Sequence, residues 1–155
     1  MLKMTQVQEP PARSVFIQGA ELPYEEADVI HFAEGLIGMP GLRRMVLVRE
    51  TGVAPFLWLA SLDDKEVAFL VVEPQQLFPD FRPQAPDSEL FYGTGPGLRT
   101  LTLALTRVAP DWRETTVNLR APLFINPATM RGAQFVLGDE RYRLDEPLPR
   151  EVLAD

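Results

Sequence analysis

In Thr100-Leu101-Thr102-Leu103-Ala104-Leu105-Thr106, leucines alternate with threonine and alanine at a period of two. Successive side chains of a strand point to opposite faces, so this stretch reads as a strand with one buried and one wetter face. Its threonines add β-branched bias. Two further stretches, Phe56 to Ala60 and Val67 to Val72, are continuous apolar runs of strand length. The turn formers Ser61-Leu62-Asp63-Asp64-Lys65-Glu66 join them, and the whole reads as a hairpin. Apolar on both sides, these two strands are expected at the centre of a closed or double-layered sheet.

Working outward, further strands are expected at Val15–Gln18, Val29–Phe32, Met45–Arg49, Thr115–Leu119, Leu123–Ile125, Gln134–Leu137 and Arg141–Leu144. Asn126 to Gly132 reads as a loop, and Gly138-Asp139-Glu140 as the tight turn of a C-terminal hairpin. Helix is scarce: Asp87 to Tyr92 offers one capped turn, ended by the glycines of Gly93-Thr94-Gly95-Pro96-Gly97. Pro74 to Pro86 reads as irregular surface chain. Proline is 15 of 155 residues, about double the usual ~5%, which suits many short elements ended by turns. The expected fold is all-β, a single-domain antiparallel β-barrel or barrel-like sandwich of short strands with little helix. The domain is expected over residues 13–150, with flexible ends at 1–12 and 151–155.

Composition narrows the function. There is no cysteine, so disulfides, thiolate metal sites and thiol nucleophiles are excluded. No secretory leader is legible at the N-terminus, and no apolar run approaches the ~18 residues of a membrane helix. Cytoplasm is the expected compartment, with no membrane association. The formal net charge is −7, a field that repels phosphate backbones and argues against direct nucleic-acid binding. It would attract a basic partner.

Candidates for chemistry are few. The single histidine, His31, lies in a predicted strand and cannot by itself build a four-ligand zinc site. Asp63-Asp64, with Glu66 nearby, is the best carboxylate group. It leaves open a metal-dependent hydrolase, or a β-barrel binding a small ligand, but adjacent acids in a hairpin loop serve turns better. The glycines at 93, 95 and 97 have the wrong spacing for a dinucleotide loop. Arg141-Tyr142-Arg143 is flanked by Asp139, Glu140, Asp145 and Glu146, which largely cancel it as an RNA surface. No cofactor site is legible. Acidic residues crowd two places, Glu21 to Asp28 and Asp139 to Glu146, each readable as a solvated rim or as a docking patch for a basic protein.

Several blocks in order resemble the FliW family of flagellar assembly factors. Ile30 to Leu42 is similar to the family pattern I-x-F-P-E-G-L-x-G-F-P-x-L, with Ala33 in place of its first proline and Met39 in place of its second phenylalanine. Pro55 to Asp64 resembles P-F-x-W-L-Q-S-L-D-D. Phe78-Pro79-Asp80-Phe81 follows, then Thr116 to Pro122 and Ile125-Asn126, similar to T-x-N-L-x-A-P-x-x-I-N. Arg131-Gly132, Gln134 and Arg141-Tyr142 match the family's end.

The resemblance implies a non-enzymatic partner switch. Such proteins bind flagellin in the cytoplasm and also bind CsrA, a small basic RNA-binding regulator that represses flagellin translation. When flagellin is exported, the freed protein binds CsrA away from its RNA surface and hinders RNA binding allosterically. On that reading the free protein is expected to be a monomer. The expected contact residues are Asn118, Arg120, Asn126, Arg131, Asp139 and Glu140.

Overall fold

The computed structural model describes residues 13–84, 88 and 100–153. Strands β1 (Ser14–Ile17), β2 (Ala20–Pro23), β3 (Val29–Phe32), β4 (Arg44–Val48), β5 (Leu57–Ser61) and β6 (Ala68–Val72) come first. Then follow β7 (Leu101–Arg107), β8 (Thr116–Val117), β9 (Leu123–Asn126), β10 (Arg131–Gln134) and β11 (Glu146–Pro147). One helical turn, α1 (Arg150–Leu153), ends the described chain. The capped turn expected at 87–92 and the glycine connection after it lie outside the described residues, apart from Ser88.

Seven strands close a barrel in the order β3-β4-β5-β6-β7-β9-β10 and back to β3. The expected all-β barrel is therefore what the chain forms, and closure decides it against a sandwich. One seam departs from the antiparallel expectation: β10 runs parallel to β3, pairing Arg131 with His31 and Gly132 with Phe32. The strand β7 is long enough to serve two neighbours on one side. Its first half pairs with β9 and its second half with β8.

Period two sets the core. Ile30, Phe32, Met45, Leu59, Val71, Leu103, Leu123 and Ile125 all point inward and pack with Leu36 and Leu42 into one cluster that fills the barrel. Gly132 belongs to this interior: a Cβ there would stand 2.8 Å from Phe32 Cε1 and 3.0 Å from Ile125 Cγ1. The two continuous apolar runs are explained by cover on the outer wall. The β1–β2 hairpin lays Val15 and Ile17 against Ala60 of β5. On the β6–β7 side, Leu70, Val72 and Ala104 are covered by Leu77, Phe81, Val117, Leu119 and Leu148. Trp58 is half-buried under these covers, and its Nε1 donates to Glu50 Oε2 at 3.2 Å.

Four expectations change at the ends. Ala20–Pro23 is an unforeseen strand. The strand expected at Gln134–Leu137 lies earlier, at Arg131–Gln134, because the barrel interior demands the side-chain-free Gly132. The strand expected at Arg141–Leu144 does not form, so 138–146 is no hairpin; a two-residue strand at Glu146–Pro147 pairs with β8 instead. Within the C-terminal stretch from 151, expected to be loose, Val152 and Leu153 of α1 pack on the outer cluster.

Candidate functional site

The residues expected at a contact surface fall into two groups. Asn118, Arg120, Asp139 and Glu140 belong to the first. Asn118 Oδ1 accepts the N–H groups of Arg120 and Ala121, both at 3.0 Å, which fixes the bend between β8 and β9. Arg120 donates through Nε to the Leu137 carbonyl at 3.3 Å, and Leu137 N–H donates back to the Arg120 carbonyl at 2.7 Å. Leu119 and Arg120 N–H groups both donate to the Arg143 carbonyl. Residues 137–143 are thus pinned along the 118–121 bend without a strand ladder. Tyr142 anchors them by packing edge-on against Phe81, centroids 4.6 Å apart.

Ion pairing explains the charged alternation here. Arg141 reaches back to Asp139, with Nη2 2.7 Å from Oδ2, and Arg143 pairs with Asp145 at 3.2 Å. The side-chain bonds from Arg141, then its backbone N–H, and the charges of Arg141 and Arg120 hold the Asp139 carboxyl down to about 2. The patch read as acidic is therefore largely neutralised by its own arginines.

The other acidic stretch is less compensated. Glu21, Glu25, Glu26 and Asp28 are all exposed. Among the described residues one ion pair touches them, Arg13 Nε to Glu26 Oε1 at 3.5 Å.

Asn126 and Arg131 form the second group, at the β9–β10 turn. Asn126 is 0% exposed. Its Oδ1 accepts Ala128 N–H at 3.0 Å and its carbonyl accepts Thr129 and Met130 N–H. Its side chain shapes the turn and has no surface to offer a partner. Arg131 is exposed, in register with His31, which itself faces out beside Arg44.

Next to Arg131 lies a groove of about 560 Å³ that sequence reasoning missed. One wall is the turn Ala33–Pro40 and the other is Arg131 to Phe135, and Ser88 also lines it. The Glu34-Gly35-Leu36-Ile37-Gly38 glycines have φ of 70° and 79°, as a turn of this shape requires. The turn is tied across the groove by Ile37 N–H donating to Gln134 Oε1 at 2.8 Å, while Gln134 Nε2 donates to the Ala121 carbonyl at 2.9 Å. The two walls are remote in sequence, so only the closed barrel brings them together.

The Asp63-Asp64 loop serves turn geometry. Ser61 Oγ accepts both N–H groups of Asp63 and Asp64, and Asp64 Oδ1 accepts Glu66 N–H. Asp63 accepts Arg43 and Arg44 N–H at 2.8 Å and two bonds from the Arg44 guanidinium. Partial burial pushes its carboxyl up, but the backbone donors of Arg44 and Arg43 and the Arg44 side chain outweigh this and leave it below its ordinary value. An acid catalyst needs the opposite shift. Among the described residues no group of three or more His, Asp or Glu stands close enough to hold a metal, and no helix is long and apolar enough to cross a membrane.

Comparison with known proteins finds the same family. The family model described as FliW protein matches residues 18–148. The flagellar assembly factor FliW of Symbiobacterium thermophilum is 40% identical over 123 residues, covering 78% of this chain and 89% of that protein. That of Caldicellulosiruptor bescii is 35% identical, covering 80% and 82%. A crystal structure of the flagellar assembly factor FliW superposes with a TM-score of 0.78 at 25% identity, covering 87% of this chain and 96% of that one. With its sequence blocks, its barrel and its relatives in agreement, the chain belongs to the FliW family of flagellar assembly factors.

Proposed function

We propose that this protein works in the cytoplasm as a partner switch, without catalysis. It binds a CsrA-type translational regulator, antagonising that regulator's RNA binding allosterically, and it binds flagellin. Flagellin occupancy then sets how much of the protein is free to act on the regulator. The observation that carries this reading is the family match across residues 18–148. The net charge of −7 and the exposed carboxylates of Glu21, Glu25 and Asp28 support it, since they attract a basic dimer and repel RNA phosphates. The packed barrel interior favours surface recognition over a small ligand held in the lumen.

The test mixes the purified protein with CsrA and, separately, with flagellin from the same organism, and examines each mixture by native mass spectrometry. A labelled flagellin-leader RNA bound to CsrA should be released as the protein is added, and flagellin should reverse the release. Absence of both complexes at micromolar concentrations would refute the reading.

A further inference from the structure

The groove beside Arg131 has the features of a strand-docking site. Along β10, β9 pairs with all four residues, but β3 reaches only Arg131 and Gly132. Alternate residues of a strand turn their peptide groups to the same side. The Met130 carbonyl accepts His31 N–H, on the β3 side, while Phe135 N–H donates to Pro122 on the other. Gly132 and Gln134 therefore turn their peptide groups toward β3. At Ala33 the chain leaves the sheet, turns through Gly35 and comes back to β4. Among the described residues no strand stands on the β3 side of Gln134, and its main-chain N–H and C=O face the groove there. Its side chain is already committed to Ile37 and Ala121.

The rim carries charge opposite to that of the chain. Arg131 is exposed on one wall, and Arg43 Nε donates to the Pro40 carbonyl at 3.4 Å on the other. Neither guanidinium has an acidic partner among the described residues. His31 and Arg44 continue the row on the outer wall, although Arg44 is engaged by Asp63. Glu34 is the one carboxylate among the described residues that line the groove. At the lip, Ile37 is 53% exposed, a large apolar side chain with no cover.

We propose that this groove receives an extended, acidic segment of a protein partner. The segment adds as a strand beside Gln134. Its carboxylates meet Arg131 and Arg43, and an apolar side chain packs on Ile37. Main-chain bonds to Gln134 supply sequence-tolerant affinity, and the rim charges select acidic over basic segments.

The probe is a short blocked peptide alternating glutamate with valine and threonine, titrated into isotope-labelled protein and followed by NMR. A matched peptide with lysine for glutamate is the control. Shifts should centre on Ala33–Pro40 and Arg131–Phe135, and Gln134 N–H exchange should slow. The lysine peptide should bind about tenfold more weakly or worse, and R131E and R43E should each weaken the acidic peptide by a similar factor. Shifts elsewhere, equal affinity for the two peptides, or no saturation at millimolar peptide would overturn the proposal. Hydrogen exchange on the CsrA and flagellin mixtures separates this inference from the partner reading. Peptide bound at the groove with neither protein complex formed supports the groove and overturns that reading. Complexes formed without protection at Gln134, together with no peptide binding, overturn the groove and support it.

Discussion

Arg141 grips both carboxylate oxygens of Asp139, with Nη2 2.7 Å from Oδ2 and Nε 3.1 Å from each oxygen. Two residues apart and on no strand, the pair closes a loop that sequence alternation alone presents as a strand. Its consequence is a defined acid response. The native Asp139 carboxyl titrates at about 2, below the ~3.9 of an unfolded aspartate. A depressed native value stabilises the fold above the unfolded value, and that contribution disappears as pH falls toward the native one. The gap in melting temperature between the wild type and D139N should therefore be constant above about pH 5 and close between about pH 4 and 2. Because the pair is exposed, added salt should narrow the gap.

Gly35 and Gly38 both adopt positive φ, but their surroundings differ. A Cβ at Gly35 would stand 2.5 Å from the Pro40 carbonyl oxygen, whereas at Gly38 it meets open space. G38A should cost about 1–2 kcal/mol, the left-handed penalty alone. G35A should cost clearly more, because backbone has to move. Denaturant midpoints of the two variants compare them directly, and equal losses would contradict the close approach at Pro40.

Asn118 and Asn126 hold bends through their side-chain oxygens. N118A leaves the Ala121 N–H without its acceptor and the Arg120 N–H with the Arg143 carbonyl alone, and should cost about 1–3 kcal/mol. N118D keeps the acceptor and should recover most of that loss. N126A removes a fully buried side chain and should lower stability by a comparable amount. Urea unfolding followed by tryptophan fluorescence reads all three.

Steering should depend on the uncompensated acids rather than on the paired ones. Reversing Glu21 and Glu25 to lysine should slow association with CsrA and flatten its salt dependence. The double reversal D139K/E140K acts where Arg120, Arg141 and Arg143 already stand, and should change the on-rate less. Stopped-flow association at low and moderate salt decides between the two patches.

Much of the barrel is legible because burial writes itself as period. The alternation at 101–107 marks a strand with one face in the barrel. The unbroken runs at 56–60 and 67–72 mark strands covered on both faces, and the structure supplies both covers. Where the reading fails, a local feature hides the period. The β1–β2 hairpin turns at Gln18-Gly19, both with positive φ, the I′ geometry usually signalled by Asn-Gly. Glutamine gives no such signal, so the second strand goes unseen. Gly132 looks like the end of a loop, yet it is the residue that lets Phe32 and Ile125 meet inside. Arg141-Tyr142-Arg143 alternates because its arginines find acids and its tyrosine finds Phe81. Of the expected contact residues, Asn126 is buried and fixes a turn, and such an asparagine reads in sequence like one that faces a partner. The groove escapes notice because no local pattern joins residues 33–40 to 131–135.

The parallel seam between β3 and β10 also sets an order of events during synthesis. Apart from β9–β10, the other pairings in the ring join strands available earlier, so a chain emerging from the ribosome can lay down β3 through β7 and then β9 as an open sheet. Until Arg131 and Gly132 arrive to meet His31 and Phe32, both β3 and β9 are bare edges, the kind of surface on which neighbouring chains pair. The last ring strand to be translated is the one that removes this hazard, and a truncation before residue 131 leaves it permanently in place.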